Sequence, residues 1–248
     1  MRFGAAKRID AVRLEKKREP LDFAARITDP GNTVYVGLVG GNDPASMNVR
    51  LAQSFLRFDR RPGYFSQVFL FTGRGDAILE CRLVGADPRR PETQGIVRDR
   101  ARRYRDEKAW PNKALIGFTF RETEGGRTPA ERVRRVLDAA REPKAVRERF
   151  DLWTMIATWQ PYLFEPARHA NPLVERSPHP GAAYVRWALG MAGIEGAPGA
   201  LDEFDAPEHF WAAANYWYKA YADESVGVQV SLTRDIGDPA GCVTVPND

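Results

Sequence analysis

Thiols and imidazoles are the groups most able to do chemistry in this chain, and it uses both sparingly. There are two cysteines, Cys81 and Cys242, and three histidines, His169, His179 and His209. A thiol beside an imidazole forms a nucleophile–base pair that attacks a carbonyl carbon, once a third polar group orients the ring. No cysteine here adjoins a histidine in sequence. Cys81 follows Glu80 in the strand-like run AILECRLV. Consecutive strand residues face opposite sides of a sheet, so Cys81 and Glu80 serve different faces. Cys81 therefore reads as a small buried hydrophobe. Cys242 lies in a segment rich in Gly and Pro. A disulfide between the two cysteines is left open. The scattered histidines lack metal-ligand spacing, and two cysteines are too few for zinc by themselves. Gly73-Arg74-Gly75 lacks the strand-to-helix context of a phosphate loop. No metal or cofactor is expected.

The elements that must position these residues are legible from periodicity. The run TVYVGLV, Thr33–Val39, is apolar on both faces and predicts a buried strand. Residues 45–57 place Met47, Leu51 and Phe55 at helical spacing. Ser66–Thr72 and Ala77–Val84 read as two strands around a four-residue, Gly-containing loop, the pattern of an antiparallel hairpin. Residues 94–107 read as a short polar helix and Ala114–Arg121 as a further strand. Thr128, Pro129 and Glu131 form a capping-box signature opening a helix to about Arg141. Further helices are expected over 144–159, Ala182–Ala192 and Ala206–Ala222, the last rich in aromatics that suit core packing. Val226–Leu232 alternates strictly, as a strand does. Strands and helices in mixed order predict an α+β fold, with a small antiparallel sheet packed against helices.

Length and composition bound the rest. The chain has 248 residues, 43% hydrophobic and 28% charged, enough for one substantial core. No run approaches the roughly 18 apolar residues of a membrane span. The first residues lack the apolar middle of a secretory signal, so a cytoplasmic location is expected. Net charge is +4. The basic clusters at Arg89–Arg90, Arg98–Arg105 and Arg132–Arg149 read as solvated faces, the last two interspersed with acids, and nucleic acid is not the expected partner.

Three segments taken in order carry a family resemblance. The first is Gly31-Asn32-Thr33-Val34-Tyr35-Val36, a loop and the helix at 45–57. The second is Tyr64-Phe65-Ser66-Gln67-Val68, its hairpin and Ala77-Ile78-Leu79-Glu80-Cys81. The third is Gly181-Ala182-Ala183-Tyr184-Val185 through Ala188-Leu189 and Ala192-Gly193. Together they resemble the circularly permuted branch of the NlpC-type papain-like cysteine hydrolases, the amidase and acyltransferase-like relatives, in which the histidine strand precedes the cysteine helix. The resemblance implies a papain-like domain over 31–235, an N-terminal charged arm or helix over 1–30 and a C-terminal tail over 236–248. It puts the family histidine on Gln67, the acid on Glu80 and the cysteine on Gly181. Glutamine is no general base and glycine no nucleophile. The resemblance therefore implies a catalytically degenerate domain that binds or assembles with a protein, peptide or lipid partner. The alternative is an active amidase, peptidase or acyltransferase with a displaced set that uses His179 or Cys242.

Overall fold

The computed structural model describes residue 21 and residues 31–85, 89, 93, 95–120, 127–142, 146, 151–194, 196, 201–221, 231–232 and 243–246. Strand β1, Thr33–Gly40, runs through the middle of the sheet. Its Val34, Val36 and Leu38 join the core shared with the helices, while Val39 and Tyr35 face a smaller apolar cluster on the other side. This two-sided burial is what its unbroken apolar run demands. β1 pairs antiparallel with β2, Gln67–Phe71, and with β5, Asn112–Thr119. β2 forms a hairpin with β3, Ala77–Cys81, placing Phe69 opposite Glu80. β4, Ile96–Arg100, pairs antiparallel with the far side of β3. The order is β4-β3-β2-β1-β5, all antiparallel, with β6 (Ser231–Leu232) antiparallel and β7 (Val243–Pro246) parallel on β5.

Helices pack on one face of this sheet, giving an α+β fold. α1, Pro44–Ala52, starts where Asp43 accepts the Ser46 N–H at 3.0 Å, and it continues as a tight turn over Gln53–Leu56. α2, Pro129–Ala140, carries the expected capping box between Thr128 and Glu131. α3 spans Leu152–Phe164, α4 Pro180–Gly190 and α5 Pro207–Tyr221. The Tyr184 hydroxyl donates to the Ala140 carbonyl at 2.5 Å and ties α4 to α2.

Two expectations are corrected. The helix expected over 94–107 is absent from the described residues 95–107: they form β4 and then a tight turn, Ala101–Tyr104. Ile96 is buried while Arg98 and Arg100 are exposed, as on the edge of a sheet. Charged side chains on such an edge discourage pairing with another chain, and they also hide the strand pattern. α3 does not end at 159. It begins after Asp151, whose carboxylate accepts the Trp153 and Thr154 N–H groups, and runs on through Pro161 to Phe164. Residues 143–145 and 147–150 lie outside the described residues, as do the strand expected over 226–230, most of the arm at 1–30, Cys242, and the α5 side chains beyond Ala214.

The second sheet face is covered largely by aromatics, with the helical residue Leu21 buried among them. Tyr104 stacks on Phe69 with ring centroids 5.2 Å apart and meets Trp110 edge-on at 4.7 Å. Phe69 in turn lies over Gly37, its cross-strand partner, where a Cβ would come within 2.2 Å of the ring. Glycine at 37 thus makes room for the aromatic that covers this face.

Candidate functional site

The end of the hairpin, where β2 begins and β3 ends, brings polar side chains into the interior. Glu80 is fully buried and Gln67 nearly so. Alternation puts Glu80 on the Phe69 face and Cys81 in the helix-side core. Glu80 has a full set of partners. Its Oε1 accepts from Arg82 Nε at 2.7 Å and Arg103 Nη1 at 3.3 Å. Its Oε2 accepts from the Tyr104 hydroxyl and, at 3.5 Å, from Gln67 Nε2. Both guanidinium groups also reach Asp99. Burial, then the Glu80 charge, pushes the Tyr104 phenol well above its ordinary range, which keeps the hydroxyl a donor. The ion pairs and hydrogen bonds are what make a buried carboxylate tolerable.

Gln67 makes its closer bond to the main chain, donating Nε2 to the Cys81 carbonyl at 3.0 Å. Gly181 lies against that same carbonyl. A Cβ on Gly181 would stand 3.3 Å from Cys81 O, 3.1 Å from His179 Cε1 and 3.3 Å from His179 Nδ1. Gln67 and Gly181, 114 residues apart in sequence, thus converge on one carbonyl, and Glu80 touches the Gln67 amide.

His179 is the N-cap of α4. Its Nδ1 accepts the Ala182 N–H at 3.3 Å, so the proton of the neutral ring sits on Nε2, which has no hydrogen-bond partner among the described residues. The ring is fully buried, edge-on to Trp159 at 5.4 Å. Burial pushes its pKa down to about 3, against a weaker opposite pull from the backbone of Ser66 and of His179 itself. The lone pair a general base would use is already taken by the helix. The Cys81 thiol is fully buried and pushed far up by burial, then by Glu80, so it stays protonated and is a poor nucleophile. His169 is exposed in the loop after α3. His209, on α5, is driven down to about 4 by burial and the Arg186 charge. Among the described residues no group of three or more His, Cys, Asp or Glu is arranged to hold a metal ion, and no helix is long and apolar enough to cross a membrane.

A cavity of about 240 Å³ opens beside Gln67, between the N-terminus of α1 and the end of β3. Asp43, Ser46, Gln67, Arg82, Arg103, Tyr104 and Trp110 supply its polar groups, and Val49, Leu83 and Leu163 its apolar walls. Ser66 also borders it, but its hydroxyl is engaged with the Gly41 N–H at 3.2 Å and the Val39 carbonyl at 3.4 Å. The arrangement presents guanidinium groups and the Asp43 carboxylate to a ligand, the Gln67 amide already donating to the Cys81 carbonyl, and no activated nucleophile among the described residues. Sequence reasoning singled out Gln67, Glu80 and Gly181 but missed Arg82, Arg103, Tyr104 and Trp110. Arg82 had a signal, since it lies two residues beyond Glu80 and shares its face. Arg103 and Tyr104 were hidden by the helix expected over 94–107. No protein-family model, curated protein or solved structure matches the chain.

Proposed function

We propose that this chain is a non-catalytic domain of the permuted NlpC-type papain-like fold, and that its former cleft serves as a binding or assembly module for a protein, peptide or lipid partner. One observation carries the reading. Gln67 and Gly181, the positions the resemblance assigns to base and nucleophile, both meet the Cys81 carbonyl, Glu80 at the acid position reaches Gln67, and the base and nucleophile positions carry neither an imidazole nor a thiol. Glu80 is held by two arginines and a tyrosine, the bonding of a structural carboxylate rather than one that orients an imidazole. The cavity beside Gln67 is smaller than the roughly 300–1,000 Å³ that encloses a drug-sized ligand. Its size suits a single side chain or a short acyl segment. The alternative reading, a displaced catalytic set, has against it the capped and buried imidazole of His179.

Two measurements on the full chain test the proposal. Amide and ester substrates should show no turnover beyond the uncatalysed rate; turnover that disappears in Cys242→Ala or His179→Asn overturns the non-catalytic reading. A peptide array and phosphatidylglycerol vesicles then probe binding, with Ala45→Trp filling the cavity whose wall Ala45 forms. Binding lost in that variant supports the module. Absence of binding by the unmodified chain, or binding unchanged in the variant, overturns it.

A further inference from the structure

A second and larger cavity, about 710 Å³, lies on the outer side of α4, away from Gln67. It falls within the roughly 300–1,000 Å³ range of ligand-binding clefts. Trp187 of α4, Met191 at its C-terminal cap and Met155 of α3 form its apolar wall, all three partly exposed. Aromatic and thioether side chains adapt to apolar partners of varied shape. Gly190 borders open space in the cavity, since a Cβ there meets nothing within 4 Å.

The opposite rim is acidic. Asp202, Glu203 and Asp205 line it against one guanidinium, Arg186, so the lining is net negative in a chain that is net positive. Arg186 does not neutralise the rim evenly. Its Nη1 is drawn to buried Asp205 at 2.6 Å and its Nη2 to Asp202 at 2.9 Å. The Asp202 side chain remains 79% exposed and that of Glu203 37% exposed, Glu203 making a long contact of 3.6 Å with Arg176. An apolar trough beside exposed carboxylates is complementary to a segment that carries both an apolar anchor and positive charge.

We infer that this cavity docks a basic, amphipathic segment of a partner polypeptide, its apolar side chain against Trp187 and Met191 and its Lys or Arg groups at Asp202 and Glu203. The site is separate from the Gln67 cavity and does not depend on the papain-like reading. Cation–π contact with Trp187 adds to the selection for positive charge.

The test titrates the full chain, by NMR and calorimetry, with a short synthetic peptide of alternating lysine and leucine and with its glutamate-for-lysine counterpart. The lysine peptide is expected to bind saturably, with amide shifts concentrated at Trp187, Met191 and Gly193. The glutamate peptide is expected to bind at least about tenfold more weakly, because it brings like charge to the rim. Gly190→Phe fills the trough from a position with open space and is expected to lower affinity about tenfold or more. Asp202→Asn with Glu203→Gln is expected to weaken binding several-fold and to flatten its salt dependence. Circular dichroism of each variant checks that it is folded; a variant that is not is replaced by Met191→Glu, with the same expected loss. Equal affinity for the two peptides, no binding, or binding undiminished in the folded variants overturns the inference.

Discussion

Gln67 donates its side-chain amide to the carbonyl oxygen of Cys81 at 3.0 Å, and Gly181 packs its bare Cα against the same oxygen. The two positions therefore fit each other as glutamine and glycine. Adding a Cβ at 181 brings it to 3.1 Å from a buried imidazole and 3.3 Å from a main-chain oxygen, neither of which is a flexible chain end. Gly181→Cys is expected to lower stability by about 1–3 kcal/mol through overpacking. Urea unfolding measures it; an unchanged midpoint shows that the site has slack for a side chain.

Glu80 is a fully buried charge held by its neighbours. Replacing it with glutamine leaves Arg82 and Arg103 facing a neutral group and removes an acceptor from Tyr104. Breaking a buried ion pair from one side costs about 3–5 kcal/mol, and the lower end applies here because Arg103 is 40% exposed and Asp99 also pairs with both arginines. Tyr104→Phe leaves a less severe gap, about 1–3 kcal/mol. The double variant should fall short of the sum, since both changes break one contact. Strict additivity in denaturant melts would mean that the Tyr104–Glu80 bond contributes nothing.

The reach of sequence reasoning ended where contacts became long-range. The β2–β3 hairpin was legible because two alternating apolar runs flank a short loop with Gly, and the register places Phe69 against Glu80. The α2 start was legible because Thr128 and Glu131 form their bonds within one turn. β4 was not: within the strand only Ile96 is buried, while Val97, Arg98, Asp99 and Arg100 are exposed or half-exposed, so the alternation of an edge strand dissolves into polarity. The partners of Glu80 were hidden for the same reason, since Arg103 and Tyr104 follow directly from that strand. The trough beside Trp187 joins the outward side of α4 to the turn at 202–205, a pairing no local pattern specifies.

Gly37 is a sharper test of the second sheet face than any of its large residues. A Cβ at 37 would stand 2.2 Å from the Phe69 ring, and that ring is held by Tyr104 stacked at 5.2 Å and Phe71 edge-on at 5.6 Å. Gly37→Ala is expected to cost about 1–3 kcal/mol, the range for forced repacking. Phe69→Leu clears the space, so the double variant should be more stable than the two single losses together imply. A thermal melt in which Phe69→Leu worsens Gly37→Ala by its full separate amount would place the clash elsewhere.

Acid should loosen the fold through His179. Its pKa falls from the ordinary 6.5 to about 3 because the folded ring is buried neutral. Below pH 6.5 the unfolded chain takes up a proton that the folded chain refuses, so stability is full above that value and falls as pH drops toward about 3. The slope is at most about 1.4 kcal/mol per pH unit for one group. His209, lowered to about 4 by burial and Arg186, acts in the same direction. Asp205 opposes both. Burial raises its pKa from 3.8 to about 6 despite Arg186, so between those values the folded chain binds the extra proton and gains stability as pH falls. His179→Asn isolates the first effect, because asparagine can still cap α4 but does not titrate. The stability difference between the unmodified chain and this variant should shrink steadily from pH 6.5 toward pH 3.5, followed by urea melts at constant ionic strength. A difference independent of pH would show that His179 is protonated, or solvated, in the folded protein.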